Sequence, residues 1–230
     1  MKPLLLDILA CPICKYFPLK LIILKWETSG SKFVKLLDAY RKKDLDVLKN
    51  ATKIRRGKDK IEDGIIITQN ENVLIRDQMV RKNTDIINYL KELESKFENF
   101  KVIEDHTEEN YSSYLSLIKL DVIKRILDLK SNIINKNLKE IALDNQNKII
   151  KDILPEIYAL NWFFQFSEIE EGVIFCEKCT RWYPIMETIP QMLPDDLREK
   201  SNEINFLRKW KDTLLKEITE KGNPFNLNTK

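Results

Sequence analysis

The sequence predicts an α+β protein: a small β domain assembled from both chain ends and clamped by four cysteines, with a long, mainly helical insertion between them. Three observations predict it. The only cysteines in 230 residues form two Cys-x-x-Cys pairs, Cys11-Pro12-Ile13-Cys14 and Cys176-Glu177-Lys178-Cys179. β-branched and aromatic runs flank the pairs, whereas apolar residues at helical spacing fill the stretch between them. Charged residues make up 33% of the chain and hydrophobic ones 43%, the balance of a globular protein.

The pair spacing is that of a four-cysteine structural zinc site, where each pair makes a tight turn and two turns close a tetrahedron. Cys11, Cys14, Cys176 and Cys179 are therefore the candidate metal ligands, and zinc is the expected cofactor. Rubredoxin-like iron also takes Cys-Pro-x-Cys and would declare itself by colour. A thiol redox motif is a further alternative. It wants one pair at a helix N-terminus after a strand and leaves the other pair without a purpose. Four thiolates leave no open position for water or substrate, so the site reads as structural, not hydrolytic. Two metal-type pairs also predict reduced thiols in a cytosol rather than a secreted disulfide framework.

Each element follows from local pattern. Leu4 to Leu9 is a short apolar run that fits a buried strand or one helical turn, which periodicity does not separate. Phe17 to Trp26 is β-branched and aromatic enough for a strand, and Thr28-Ser29-Gly30-Ser31 breaks it. Ser31 caps a predicted helix with Phe33, Leu36, Leu37, Tyr40, Val47 and Leu48 on one side. Lys53 to Lys60 is a basic loop with no aromatic among its charges, which favours a solvated turn. Gly64 to Thr68 and Val73 to Arg76, with Gln69-Asn70-Glu71-Asn72 between them, predict a hairpin.

The next stretches are helical. Met79, Ile86, Ile87, Leu90, Leu93 and Phe97 follow a period near 3.6. Asp105 with Glu108 fits a capping box for a helix bearing Leu115, Ile118, Val122, Ile126, Leu129 and Ile133. Leu138, Ile141, Ala142, Ile149 and Ile153 predict a third helix stopped near Pro155, and Pro155 to Phe166 begins another. Gly172 to Phe175 then enters the second cysteine turn as a strand and Arg181 to Met186 leaves it as one, the strand–turn–strand pattern of a zinc ribbon. Ile189 to Pro194 is bracketed by prolines and permits only an edge strand. From Asp195 a charged amphipathic helix carries Ile204, Leu207, Trp210, Leu214 and Ile218, and the polar tail past Gly222 is expected to fray. The predicted domains are 1–30 with 167–197 (zinc ribbon), 31–166 (helical insertion) and 198–230 (C-terminal helix and tail).

Several function classes are disfavoured. Basic and acidic residues number 39 and 36, a formal charge of +3 that gives little steering toward a polyanion. With five glycines and no glycine-rich loop, the chain has no phosphate cradle or methyl-donor loop of its own. The single histidine, His106, sits among acids at an expected helix start and reads as a surface residue, not a catalytic base. The start through Cys11 imitates a lipoprotein signal, but its apolar run is short and Asp7 interrupts it. No later run approaches the roughly 18–20 apolar residues of a membrane span. A soluble, cytoplasmic, non-enzymatic protein is expected.

At the two ends the match to a family becomes specific. Met1-Lys2-x-Leu4 through Cys11-Pro12, then Phe17-Pro18-Leu19, lie at one end. Glu171-Gly172-x-x-x-Cys176-x-x-Cys179-x-x-x-Tyr183-Pro184-Ile185-x-x-x-Ile189-Pro190-x-Met192-Leu193-Pro194 lies at the other. Together they resemble the small zinc-ribbon activator subunit shared by several S-adenosylmethionine-dependent methyltransferases that act on tRNA, rRNA and a translation release factor. The likeness covers about the first 25 residues and Pro155 to Leu197. It implies a non-catalytic partner that forms a heterodimer with a methyltransferase, stabilises and activates it, and reaches RNA only through it. It also implies partner contact at Leu4, Leu5, Ile8, Ile189, Met192 and Leu193, side chains that would otherwise form the ribbon's own core. The segment between the cysteine pairs is longer than a plain ribbon needs, as in the family's larger members. The alternative function is a zinc-ribbon nucleic-acid-binding or transcription-associated module using Lys53, Arg55, Arg56 and Lys58, with binding that falls steeply with salt.

Overall fold

The computed structural model describes residues 1–57, 60–69, 72–107, 109–135 and 143–228. In chain order the strands are β1 (Lys20–Trp26), β2 (Ile54–Arg56), β3 (Lys60–Glu62), β4 (Ile66–Gln69), β5 (Val73–Arg76), β6 (Thr84–Asp85), β7 (Ile103–Asp105), β8 (Ile169–Cys176), β9 (Arg181–Met186) and β10 (Ile189–Pro190). The α-helices are α1 (Gly30–Lys42), α2 (Leu45–Ala51), α3 (Ile86–Lys101), α4 (Glu109–Leu117), α5 (Ile123–Asn135), α6 (Leu143–Gln165), α7 (Lys200–Lys209) and α8 (Lys216–Lys221). Contacts divide this α+β chain into two compact units. One is Met1–Ser29, Asn99–Ser112 and Ser167–Lys230; the other is Gly30–Glu98 and Ser113–Phe166.

The first unit is built on a five-stranded sheet in the order β10-β9-β8-β1-β7. β1 is buried on both faces, which explains its unbroken Leu21-Ile22-Ile23-Leu24 run. β8 pairs antiparallel with both neighbours, Ile174 facing Leu21 on one side and Tyr183 on the other. Gly172 is needed in β8 because a Cβ there would stand 2.7 Å from the Ile22 carbonyl oxygen. Ile22, Leu24, Val173, Phe175 and Trp182 form one sheet face with Ile204, Phe206, Leu207, Leu214 and Ile218 packed onto it. Each such side chain stabilises by about 2 kcal/mol when taken out of water.

In this unit one open expectation is decided and several others need correction. Leu4 to Leu9 resolves as a helical turn, a 3-10 helix over Pro3–Asp7. β7 was not expected, and it adds to β1 in parallel. Asp105 therefore ends a strand rather than capping a helix, accepting hydrogen bonds from Trp26 Nε1 at 3.0 Å and from the Thr107 amide at 3.0 Å. Its expected capping partner, Glu108, lies outside the described residues. The C-terminal helix is two helices, α7 and α8, with Trp210 ending the first. The described part of the tail, to Asn228, is tied down where fraying is expected: Trp182 Nε1 donates to the Phe225 carbonyl at 2.8 Å, and Leu227 N donates to the Thr219 carbonyl at 2.7 Å. Phe225 and Leu227, two apolar residues in a polar stretch, pack against the same core.

The second unit centres on α6. Pro155 was expected to end a helix, yet α6 runs through it, with Ile153, Ile157, Ala159, Leu160 and Phe163 buried on either side. Packing along the whole helix outweighs the one backbone hydrogen bond that proline removes. Phe33 and Tyr114 meet Trp162 edge-on at 5.0 and 5.1 Å. The helix expected from Ser31 is two helices, broken where Lys43 adopts a φ of 53° and Asp44 caps α2 by accepting from the Val47 amide at 3.1 Å. The basic loop is a hairpin, β2 with β3. The hairpin of β4 and β5 forms, and β6 joins it. Asn70 and Glu71 of its turn lie outside the described residues, as do Leu138, Ile141 and Ala142 of the third expected helix. Met79 precedes α3 in a turn held by Asp77, so the helical stripe starts only at Ile86. α4 and α5 are joined by a π-turn over Ile118–Val122.

Candidate metal centre

Two similar turns present the cysteines. In the first, the Cys11 amide donates to the Tyr16 carbonyl at 3.0 Å and the Lys15 amide to the Cys11 carbonyl at 2.9 Å. In the second, Cys176 ends β8 and pairs with Arg181 of β9. Each closes between residues five positions apart, and each has a non-glycine residue in the left-handed region just after its second cysteine: Lys15 at φ 58° and Thr180 at φ 54°. Such backbone costs about 1 kcal/mol or more and persists where the surroundings demand it.

The turns bring all four sulfurs within 4.8 Å of one another. Cys11 Sγ stands 3.7 Å from Cys179 Sγ, and Cys14 Sγ stands 3.5 Å from Cys176 Sγ. A disulfide would require about 2.05 Å, and all four thiols are free. A metal with about 2.3 Å bonds to four sulfurs separates them by about 3.8 Å, so the cluster fits the edge of that tetrahedron. Among the described residues, neither pair opens an α-helix, as a thiol redox motif would. The cluster is able to hold a metal ion.

Its surroundings are asymmetric. Cys11 and Cys176 are buried, Cys14 and Cys179 half-buried. Burial pushes the Cys11 thiol up, but hydrogen bonds from Tyr183 and from the turn outweigh it and bring the thiol to about 6. Burial pushes the Cys176 thiol well up. Tyr183 Oη lies 3.4 Å from Cys11 Sγ. Arg181 makes a forked pair with Asp195, its Nη2 donating to Oδ2 at 2.8 Å.

The other singled-out residues are dispersed. Leu4 and Leu5 lie half-buried in the 3-10 helix, and Ile8 just after it is 76% exposed. Ile189 on edge strand β10 is 59% exposed, Leu193 is 40% exposed and Met192 is half-buried. Ile13, Phe17 and Leu197 are also exposed in this unit, and the sequence reasoning missed them. A signal existed for Ile13: in a Cys-x-x-Cys turn with both sulfurs inward, the intervening side chains face out. In the basic hairpin, Arg56 pairs with Glu62 at 2.8 Å and Lys60 with Glu62 at 2.6 Å, while Lys58 lies outside the described residues. His106 is not a surface cap residue: Nδ1 stands 3.0 Å from the Thr213 carbonyl and Nε2 3.3 Å from Glu104. No described helix is long and apolar enough to cross a membrane.

A family model described as Trm112p-like protein matches residues 2–187, which takes in both cysteine pairs. No curated protein and no solved structure matches the chain.

Proposed function

The chain belongs to the Trm112p-like family, the non-catalytic methyltransferase-activator subunits, and on that basis we propose that it binds, stabilises and activates an S-adenosylmethionine-dependent methyltransferase. The enzyme would modify tRNA, rRNA or a translation factor, with RNA reached only through that partner in a cytoplasmic heterodimer. Cys11, Cys14, Cys176 and Cys179 hold zinc in this proposal, and the β-turn–β arrangement around them is a zinc ribbon. When bound, zinc supplies folding free energy and no chemistry on substrate.

One observation carries the proposal: a single unit holds both the four-sulfur cluster and exposed apolar side chains at Ile8, Ile189 and Leu193. Exposed apolar surface on a small unit favours association, because a partner's apolar face removes both surfaces from water. Leu4, Leu5, Ile8, Ile189, Met192 and Leu193 form the contact in this proposal. β10, at the end of the sheet order, offers an edge for strand addition to the partner's sheet. A methyltransferase stabilised this way keeps its own catalytic groups and gains a folded, soluble form.

A tagged pull-down from the source organism at low salt, read by mass spectrometry, tests it. Methyltransferases in near-equal amounts are expected. RNA polymerase or nuclease-sensitive material without any methyltransferase would overturn the proposal in favour of a nucleic-acid module.

A further inference from the structure

We propose that Tyr183 is an outer-sphere donor to the Cys11 sulfur when the cluster holds a metal ion. This rests on the metal-binding role given to the cysteines above. A divalent ion with four thiolates carries a formal charge of about −2. Placing that charge beside buried cysteines is unfavourable unless donors face the sulfurs.

The chain supplies one at Cys11. Tyr183 is fully buried on β9, and its hydroxyl points at the Cys11 sulfur, 3.4 Å away. A buried hydroxyl without a partner would be costly, and this one meets a ligand sulfur. Its donor strength is raised from behind. The Arg198 guanidinium lies over the Tyr183 ring at 5.1 Å and over the Trp182 ring at 5.4 Å. A cation on the ring face draws electron density from the phenol. Arg198 is itself fixed by Glu203 at 2.6 Å and by the Trp182 carbonyl at 2.7 Å. Tyr183 touches the sulfur; Arg198 is a positioning residue that acts through Tyr183.

Cobalt(II) in place of zinc tests this in the full chain, since sulfur-to-cobalt absorption reports on the thiolates and a merely structural residue leaves it unmoved. Tyr183→Phe is expected to shift that absorption to lower energy, because a sulfur that has lost a donor gives up charge more easily. It is also expected to weaken metal retention against a chelator about tenfold. If Tyr183→Phe does not fold with saturating metal, Arg198→Lys, which takes the planar cation off the Tyr183 ring, decides by the same absorption. Unchanged absorption and retention in the folded variants would overturn the donor role. Failure of the wild-type chain to take up cobalt would instead overturn the metal site itself.

Discussion

Cys14 and Cys176 are 162 positions apart in the chain, and their sulfurs lie 3.5 Å from each other. Together with Cys11 and Cys179 they tie the two ends of the chain into one unit. Cys176→Ser removes one of the four proposed metal ligands from that closure. Structural zinc contributes about 10 kcal/mol to small domains, so the loss is expected to unfold the first unit. Metal content and thermal melting check this. A variant with wild-type melting and metal content would contradict the clamp.

Ile189→Asp places a charge on edge strand β10, where the side chain is 59% exposed. Stability of the free chain is expected to change by no more than about 0.5 kcal/mol. Affinity for the methyltransferase is expected to fall at least tenfold, about 1.4 kcal/mol. Titration of purified partner reads the second value and melting reads the first. A large fall in melting with full partner binding would assign Ile189 to the core.

The second unit contains a buried carboxylate that responds to pH. Glu156 accepts from Tyr40 Oη at 3.1 Å and pairs with Arg125 at 3.0 Å, while its Oε2 has no hydrogen-bond partner. Burial raises its carboxyl above the ordinary 4.5, outweighing Arg125 and Tyr40. A raised acid holds its proton longer in the folded chain than in the unfolded one. Its contribution to stability is therefore present at low pH and lost as pH climbs from about 4.5 through the raised folded value. Glu156→Gln is expected to melt higher than wild type at pH 7 by roughly 1 kcal/mol of stability, and to lose that advantage near pH 4. A variant less stable at neutral pH would show that the Arg125 pair dominates.

Asp77 gathers four donors: the Met79 and Val80 amides, Tyr89 Oη and Asn161 Nδ2, at 2.6 to 2.8 Å. Asp77→Ala leaves these buried groups without an acceptor and is expected to cost roughly 3 kcal/mol or more. Chemical denaturation of the full chain measures it. Loss of less than about 1 kcal/mol would mean that water or rearrangement replaces the carboxylate.

Legibility in the sequence followed the range of the interactions. The cysteine turns and strands β8 and β9 were readable because their signals are local: fixed spacing, β-branched runs and a turn. β7 was not, since Ile103-Glu104-Asp105 is three residues with two acids and becomes a strand only by pairing with β1, some eighty positions away. The continuation of α6 through Pro155 is likewise a tertiary effect, decided by packing on both sides of the proline. The break after Lys42 was readable in part, because Asp44 is a capping residue type placed before a short apolar pattern. The contact of Tyr183 with Cys11 has no sequence signal beyond its place on the strand that leaves the second turn.

Methyl transfer from labelled S-adenosylmethionine to tRNA, rRNA or the release factor tests the central proposal most directly. The source organism's methyltransferases would be produced with and without this chain and compared at equal enzyme concentration. At least one is expected to gain activity of tenfold or more and to co-elute with the chain as a one-to-one complex, and the gain is expected to vanish with Cys176→Ser. Equal activity with and without the chain across all of them would contradict the activator role.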